Sequence, residues 1–151
     1  MKARFALAAI PILGFIVVLS AAPVDEQTAR DQLMGTWQSD NGAAQASWTL
    51  AEKGDSIHVA NSNGGQTVED FACNTSGKEC SVKHAGHSAK VSMWFNGAKL
   101  VELESTGSQT VKRRFTVTGK DSMDVETIHV SEGGSPEIAH FKRSPVESAK
   151  Q

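Results

Sequence analysis

Arg113 is the residue whose placement most invites chemistry. In Val111-Lys112-Arg113-Arg114-Phe115-Thr116-Val117, strict alternation sets Val111, Arg113, Phe115 and Val117 on one face, and that face is apolar. A guanidinium turned into an apolar interior must be paired, because an unsatisfied buried charge is strongly unfavourable. Three readings follow. The acid group of a bound molecule meets Arg113 inside the fold, Arg113 belongs to an internal ion pair, or a β-bulge turns it outward. On the first reading Arg113→Met folds as well as the parent, or better, and loses affinity for acidic amphiphiles.

Other constellations are weaker. His84 and His87 stand three apart and two imidazoles can share an ion, but no third ligand follows by spacing, so a solvated turn pair is expected. Serines are plentiful, yet no Gly-x-Ser-x-Gly elbow occurs. Glu69 and Asp70 are adjacent, so on a strand they face opposite sides and cannot work as an acid–base pair. Glu102 and Glu104 share a face, which is read as solvent because Val101 and Leu103 lie opposite. The expectation is a protein that is not an enzyme, with no catalytic set, no cofactor and no metal site.

The start of the chain reads as a targeting segment. Lys2 and Arg4 precede an uncharged run from Phe5 to Leu19, and Ser20, Ala21 and Ala22 offer small residues for cleavage. The expectation is a bacterial-type signal peptide over residues 1–22 and a periplasmic or secreted mature protein; a retained anchor is the competing reading. Membrane contact is then expected only through the signal before cleavage. Cleavage leaves 13 basic and 17 acidic residues, a net charge of −4. That balance, with Lys112-Arg113-Arg114 as the sole basic cluster, gives no footprint for nucleic acid. In an oxidising compartment Cys73 and Cys80 are expected to form a disulfide across a hairpin, against the alternative of two buried thiols.

The elements that position these residues are short and extended. Residues 23–34 read as a brief helical lead-in, stopped by Gly35. From Trp37 onward, runs of alternating residues are broken every 8–12 residues or so by Gly, Asn, Asp and Ser clusters. They include Ala46–Leu50, Thr67–Cys73, Cys80–His84, Lys99–Ser105, Val111–Val117, Met123–Val130 and Ile138–Phe141. Val91, Met93 and Phe95 share a face and end at Asn96-Gly97, the strongest hairpin signal present. The expected fold is all-β, an antiparallel up-and-down barrel of about 8–10 strands with a short N-terminal helical turn. A β-sandwich is the competing architecture. The barrel domain is placed at residues 35–143, with 144–151 as a flexible tail.

Gly35-Thr36-Trp37, following a helical lead-in and opening the first strand, resembles the Gly-x-Trp motif of the calycins, the lipocalins and fatty-acid-binding proteins among them. Ile138-Ala139-His140-Phe141-Lys142-Arg143 is similar to the closing strand of such barrels, where a basic residue covers the motif tryptophan. The resemblance implies that Arg143, or failing that Lys142, covers Trp37. It also implies a lumen in which Arg113, Phe115, Phe141 and Met93 meet a small amphipathic or acidic ligand. One departure stands out: Ala139 and Phe141 occupy positions where the fatty-acid-binding group carries an Arg and a Tyr. The implied function is an exported, lipocalin-like binding protein. The alternative is a filled-core barrel that acts as a protein-binding partner or inhibitor in the cell envelope.

Overall fold

The structure is a computed structural model, and it describes residues 25–40, 45–84 and 86–145. The segments read as the signal peptide, and all but the start of the tail, lie outside those residues. Glu26–Leu33 forms α1, with Glu26 in its first turn paired to Arg30 in its last at 3.5 Å. Met34 is extended and Gly35 adopts φ 132°, which takes the chain straight from helix into strand. Among the described residues no helix is long and apolar enough to cross a membrane.

Ten strands follow: β1 (Gly35–Ser39), β2 (Ser47–Lys53), β3 (Ser56–Asn63), β4 (Gln66–Asn74), β5 (Ser76–His84), β6 (His87–Asn96), β7 (Lys99–Thr106), β8 (Gln109–Gly119), β9 (Ser122–His129) and β10 (Glu137–Arg143). All neighbours are antiparallel, in the order β4-β3-β2-β1-β10-β9-β8-β7-β6-β5. This is the expected up-and-down meander. It closes where β1 pairs with β10, setting Trp37 opposite Arg143.

One seam stays unzipped. β4 and β5 are consecutive, yet no ladder joins them. The disulfide Cys73–Cys80 links them instead, with its Cα atoms 5.9 Å apart. The hairpin expected around this bond is therefore absent, and the register explains why. A turn centred on Thr75 would set Cys73 opposite Gly77, whereas the bond holds Cys73 to Cys80. β5 also bulges between Ser76 and Glu79 against β6.

The meander gives the barrel two unlike ends. At one end lie the β2–β3, β4–β5, β6–β7 and β8–β9 turns, and α1 packs there. Arg30 donates to the Gly97 carbonyl at 3.1 Å and lies 4.6 Å over the Phe95 ring. The lumen at this closed end is filled by Leu33, Trp37, Leu50, Val59, Met93, Leu100, Phe115 and Met123, each 0–1% exposed. Side chains this completely covered leave no water-sized space against them. The opposite end carries the β3–β4, β5–β6 and β7–β8 turns and the β9–β10 connection, whose single 3-10 turn at Val130–Glu132 is tied to the rim where Thr110 N–H donates to Ser131 Oγ at 2.7 Å.

Candidate functional site

β8 pairs in register with both β7 and β9 from Val111 to Phe115, so no bulge turns Arg113 outward. Its side chain enters the lumen, 14% exposed, and is held by three carboxylates. Nη1 donates to Glu102 at 2.5 Å and to Glu104 at 3.1 Å, both on β7. Nη2 reaches across the barrel to Glu69 on β4 at 3.0 Å. The guanidinium also lies 5.5 Å from the Trp48 ring, which meets Phe115 edge-on at 5.1 Å. The lumen thus has an apolar lower half and, toward the open end, a polar floor of one guanidinium and three carboxyls.

The strand pairings explain this convergence. Glu102 is the direct β7 partner of Arg113, and Glu104 pairs with Val111 one step nearer the rim. Glu69 is the β4 partner of Asn61, beside Trp48 in the β2–β3 ladder. Glu69, Glu102 and Glu104 are only 4%, 0% and 7% exposed. Glu102 and Glu104 therefore face the lumen, which corrects the solvent face assigned to them from sequence. Glu69 and Asp70 do face opposite sides, and outward-facing Asp70 meets His58 at 2.7 Å.

The electrostatics of the floor follow from burial. Burial pushes the Glu102 carboxyl up to about 7 against the pull of Arg113, and the neighbouring Glu69 and Glu104 raise it further. Its Oε2 is buried without a hydrogen-bond partner among the described residues. For Arg113, burial works against the charge, but the attraction of Glu102, Glu69 and Glu104 outweighs it and holds the pKa above its ordinary value. Three carboxyls stand around the one guanidinium, so acid groups outnumber the cation on this floor. A ligand carboxylate brought to Arg113 would be a fourth acid group on one guanidinium. The acidic ligand expected from the sequence therefore has no free cation there to receive it.

Met93, Phe115 and Phe141 also line the interior, at 0%, 0% and 4% exposure, beneath or beside this floor. All three belong to the packed hydrophobic core. Two concavities among the described residues open to solvent. One of about 420 Å³ sits on the open-end rim beside Ser39, Ala46, Ser47 and Ser62. A second, of about 600 Å³, lies between the β5–β6 and β7–β8 ends, beside Val82, Ala89 and Ser105. His84 and His87 are register partners at the β5–β6 turn. Among the described residues no group of three or more His, Cys, Asp or Glu is arranged to hold a metal ion.

The Trp37 end is a second built feature. Trp37 Nε1 donates to the Leu33 carbonyl at 2.9 Å. The Arg143 guanidinium stacks 4.1 Å over the indole and donates to the Met34 and Gln32 carbonyls at 2.9 and 2.6 Å. Gly35 makes room for it, since a Cβ there would stand 2.6 Å from Arg143 Nη1. Lys142 points to Asp40 instead, at 3.8 Å.

No family model matches the chain, and no curated protein matches it either. Solved structures do. The chain is similar to a secretory abundant heat soluble protein from Ramazzottius varieornatus, at 16% identity and TM-score 0.65, over 75% of this chain and 96% of that one. A fatty acid binding protein of Schistosoma mansoni, solved in complex with arachidonic acid, is similar at 16% identity and TM-score 0.65, over 78% and 99%. Fatty-acid-binding protein 1 of Echinococcus granulosus gives 6% identity and TM-score 0.64, over 76% and 99%. At such identities the likeness is one of fold.

Proposed function

We propose that this chain, a ten-stranded antiparallel barrel with a polar floor beneath its open end, is an exported binding protein for a small amphipathic ligand. The ligand enters at the open end, with its polar group on the Arg113 cluster. The observation that carries this reading is the cluster itself, a charged group built into the lumen and reached by solvent at 14% of the Arg113 side chain. The similarity to barrels whose names record fatty-acid binding supports it. The excess of carboxyls sets the head group: a hydrogen-bond donor or a cation suits this floor and a carboxylate does not. Export rests on the leader read from residues 1–22.

A second reading draws on a specific observation. Met93, Leu100, Phe115 and Met123 are all 0% exposed, so a long chain has no room in the lower lumen without repacking. A barrel filled by its own side chains would act through its surface, on a protein in the envelope. Native mass spectrometry of protein purified from its own host separates the two. A bound species of a few hundred daltons, lost on denaturation, supports ligand binding. Bare protein, or a stable complex with a second protein, supports the filled barrel.

A further inference from the structure

We infer that the Arg113 cluster is a proton-operated latch. With one of its carboxyls protonated it ties β4 across the lumen to β7 and β8, and loss of that proton loosens the open-end half of β4 along the unzipped seam. The inference does not depend on any ligand.

The first support is where β4 is held. On one side it pairs with β3, and that ladder is interrupted by a register shift at Asn61 and Ser62. On the other side it has no ladder with β5. The disulfide ties the two strands only at Cys73, next to the closed-end turn. Glu69 lies four residues nearer the open end and bridges to Arg113 at 3.0 Å. The upper half of β4 thus has, besides its ladder with β3, an ion pair that crosses the lumen.

The second support is the imbalance of charge. Three carboxyls share one guanidinium, and the one most deeply buried, Glu102, has an oxygen with no partner among the described residues. The groups around Glu102 are Arg113 on β8, Glu104 on its own strand, Glu69 on β4 and Met93, its β6 partner. Nearer the rim on β9, in register with Val111 and on the face of Met123 and Val125, stands His129, the imidazole closest in the ladder. When Glu102 is protonated, one of the three carboxyls around Arg113 is neutral. When it ionises, a further negative charge enters this largely buried site, and the same guanidinium is drawn toward Glu102 and away from Glu69. The displacement of the Glu102 carboxyl to about 7 places this change at neutral pH.

The sign is fixed by linkage. A carboxyl whose folded pKa is raised contributes most to stability while protonated, and that contribution is lost as pH rises from the unfolded value through the folded one. The test is hydrogen exchange on the full disulfide-bonded chain at about pH 6 and about pH 8, corrected for intrinsic exchange, with a carboxyl-carbon NMR titration alongside. The expected result is a loss of protection of about tenfold or more at the higher pH, confined to residues 61–70, and a Glu titration near neutrality. Glu102→Gln keeps the shape without the titration and should give the same protection at both pH values, whereas His129→Gln should retain the pH effect. Protection in residues 61–70 that does not change with pH in the parent overturns the latch. So does a pH effect that disappears in His129→Gln, a decisive result even if Glu102→Gln fails to fold.

Discussion

Replacing Arg113 by Met is the perturbation on which sequence and structure disagree in sign. With Arg113 alone among apolar neighbours, the substitution is expected to leave the fold intact or better. The structure surrounds it with Glu69, Glu102 and Glu104, all under 10% exposed. Removing one partner of a buried ion pair typically costs about 3–5 kcal/mol, because the other charge stays behind unpaired. Three carboxyls would be left here, although each can relieve part of the penalty by taking a proton. At a pH slightly above neutrality the expected loss is about 3–4 kcal/mol, a large share of the roughly 5–15 kcal/mol that holds a domain together. At about 3–5 °C per kcal/mol for a domain of this size, the melting temperature should fall by about 10–15 °C. At about pH 5, where Glu102 is protonated, the loss should shrink to about half or less. Thermal or urea unfolding of the disulfide-intact variant at both pH values measures this directly. A variant as stable as the parent above neutrality would refute the assignment of the cluster.

Three further outcomes follow from the same structure. Arg143→Ala removes a cation–π stack and two bonds to carbonyls, on a residue whose side chain is 27% exposed. It should lower stability by about 2 kcal/mol in denaturant unfolding, and no change would separate the two ends of the barrel. Cys73→Ser with Cys80→Ser should cost about 2–3 kcal/mol by the chain-entropy account, and increased exchange should concentrate in β4 and β5; uniform loosening would argue against a seam. The parent itself should lose stability as pH rises between about 4.5 and about 7, by up to about 3 kcal/mol from Glu102, and Glu102→Gln should flatten that part of the profile. A parent profile that rises through this window would mean Glu102 is ionised throughout.

Much of the fold was legible because strand periodicity and turn residues agree along most of the chain. β8 is the clearest case: Val111, Arg113, Phe115 and Val117 alternate with polar residues, and the inward Arg follows from that alternation alone. β7 was misread because both of its faces carry apolar residues. Leu100 points inward while Val101 and Leu103 point outward, so alternation alone cannot choose a side for Glu102 and Glu104. A signal was present in the next turn. A tight loop at Gly107 pairs Thr106 with Gln109, and that register carries Glu102 directly opposite Arg113. The bridge to Glu69 was not legible, since it crosses the lumen and exists only once the barrel has closed. At Asn96-Gly97 the hairpin was read correctly, but its loop falls on Gly97 and Ala98, with Asn96 already paired to Lys99. The seam was missed for a related reason: a disulfide between Cys73 and Cys80 and a ladder closing at Thr75 ask for different registers, and the covalent bond prevails.

The central claim is that an amphipathic ligand sits at the open end with its polar group on a negative floor. An equilibrium titration of the disulfide-intact protein with an alkyl amine, an alcohol and a fatty acid of equal chain length tests it most directly. Trp48, 5.5 Å from the Arg113 guanidinium, serves as the fluorescent reporter, with Trp48→Phe as the control. The account predicts saturable one-to-one binding of the amine or the alcohol, about tenfold or more tighter than the fatty acid, as expected for one charge-assisted hydrogen bond gained rather than opposed. Tighter binding of the fatty acid, or no saturable binding by any of the three, would contradict it.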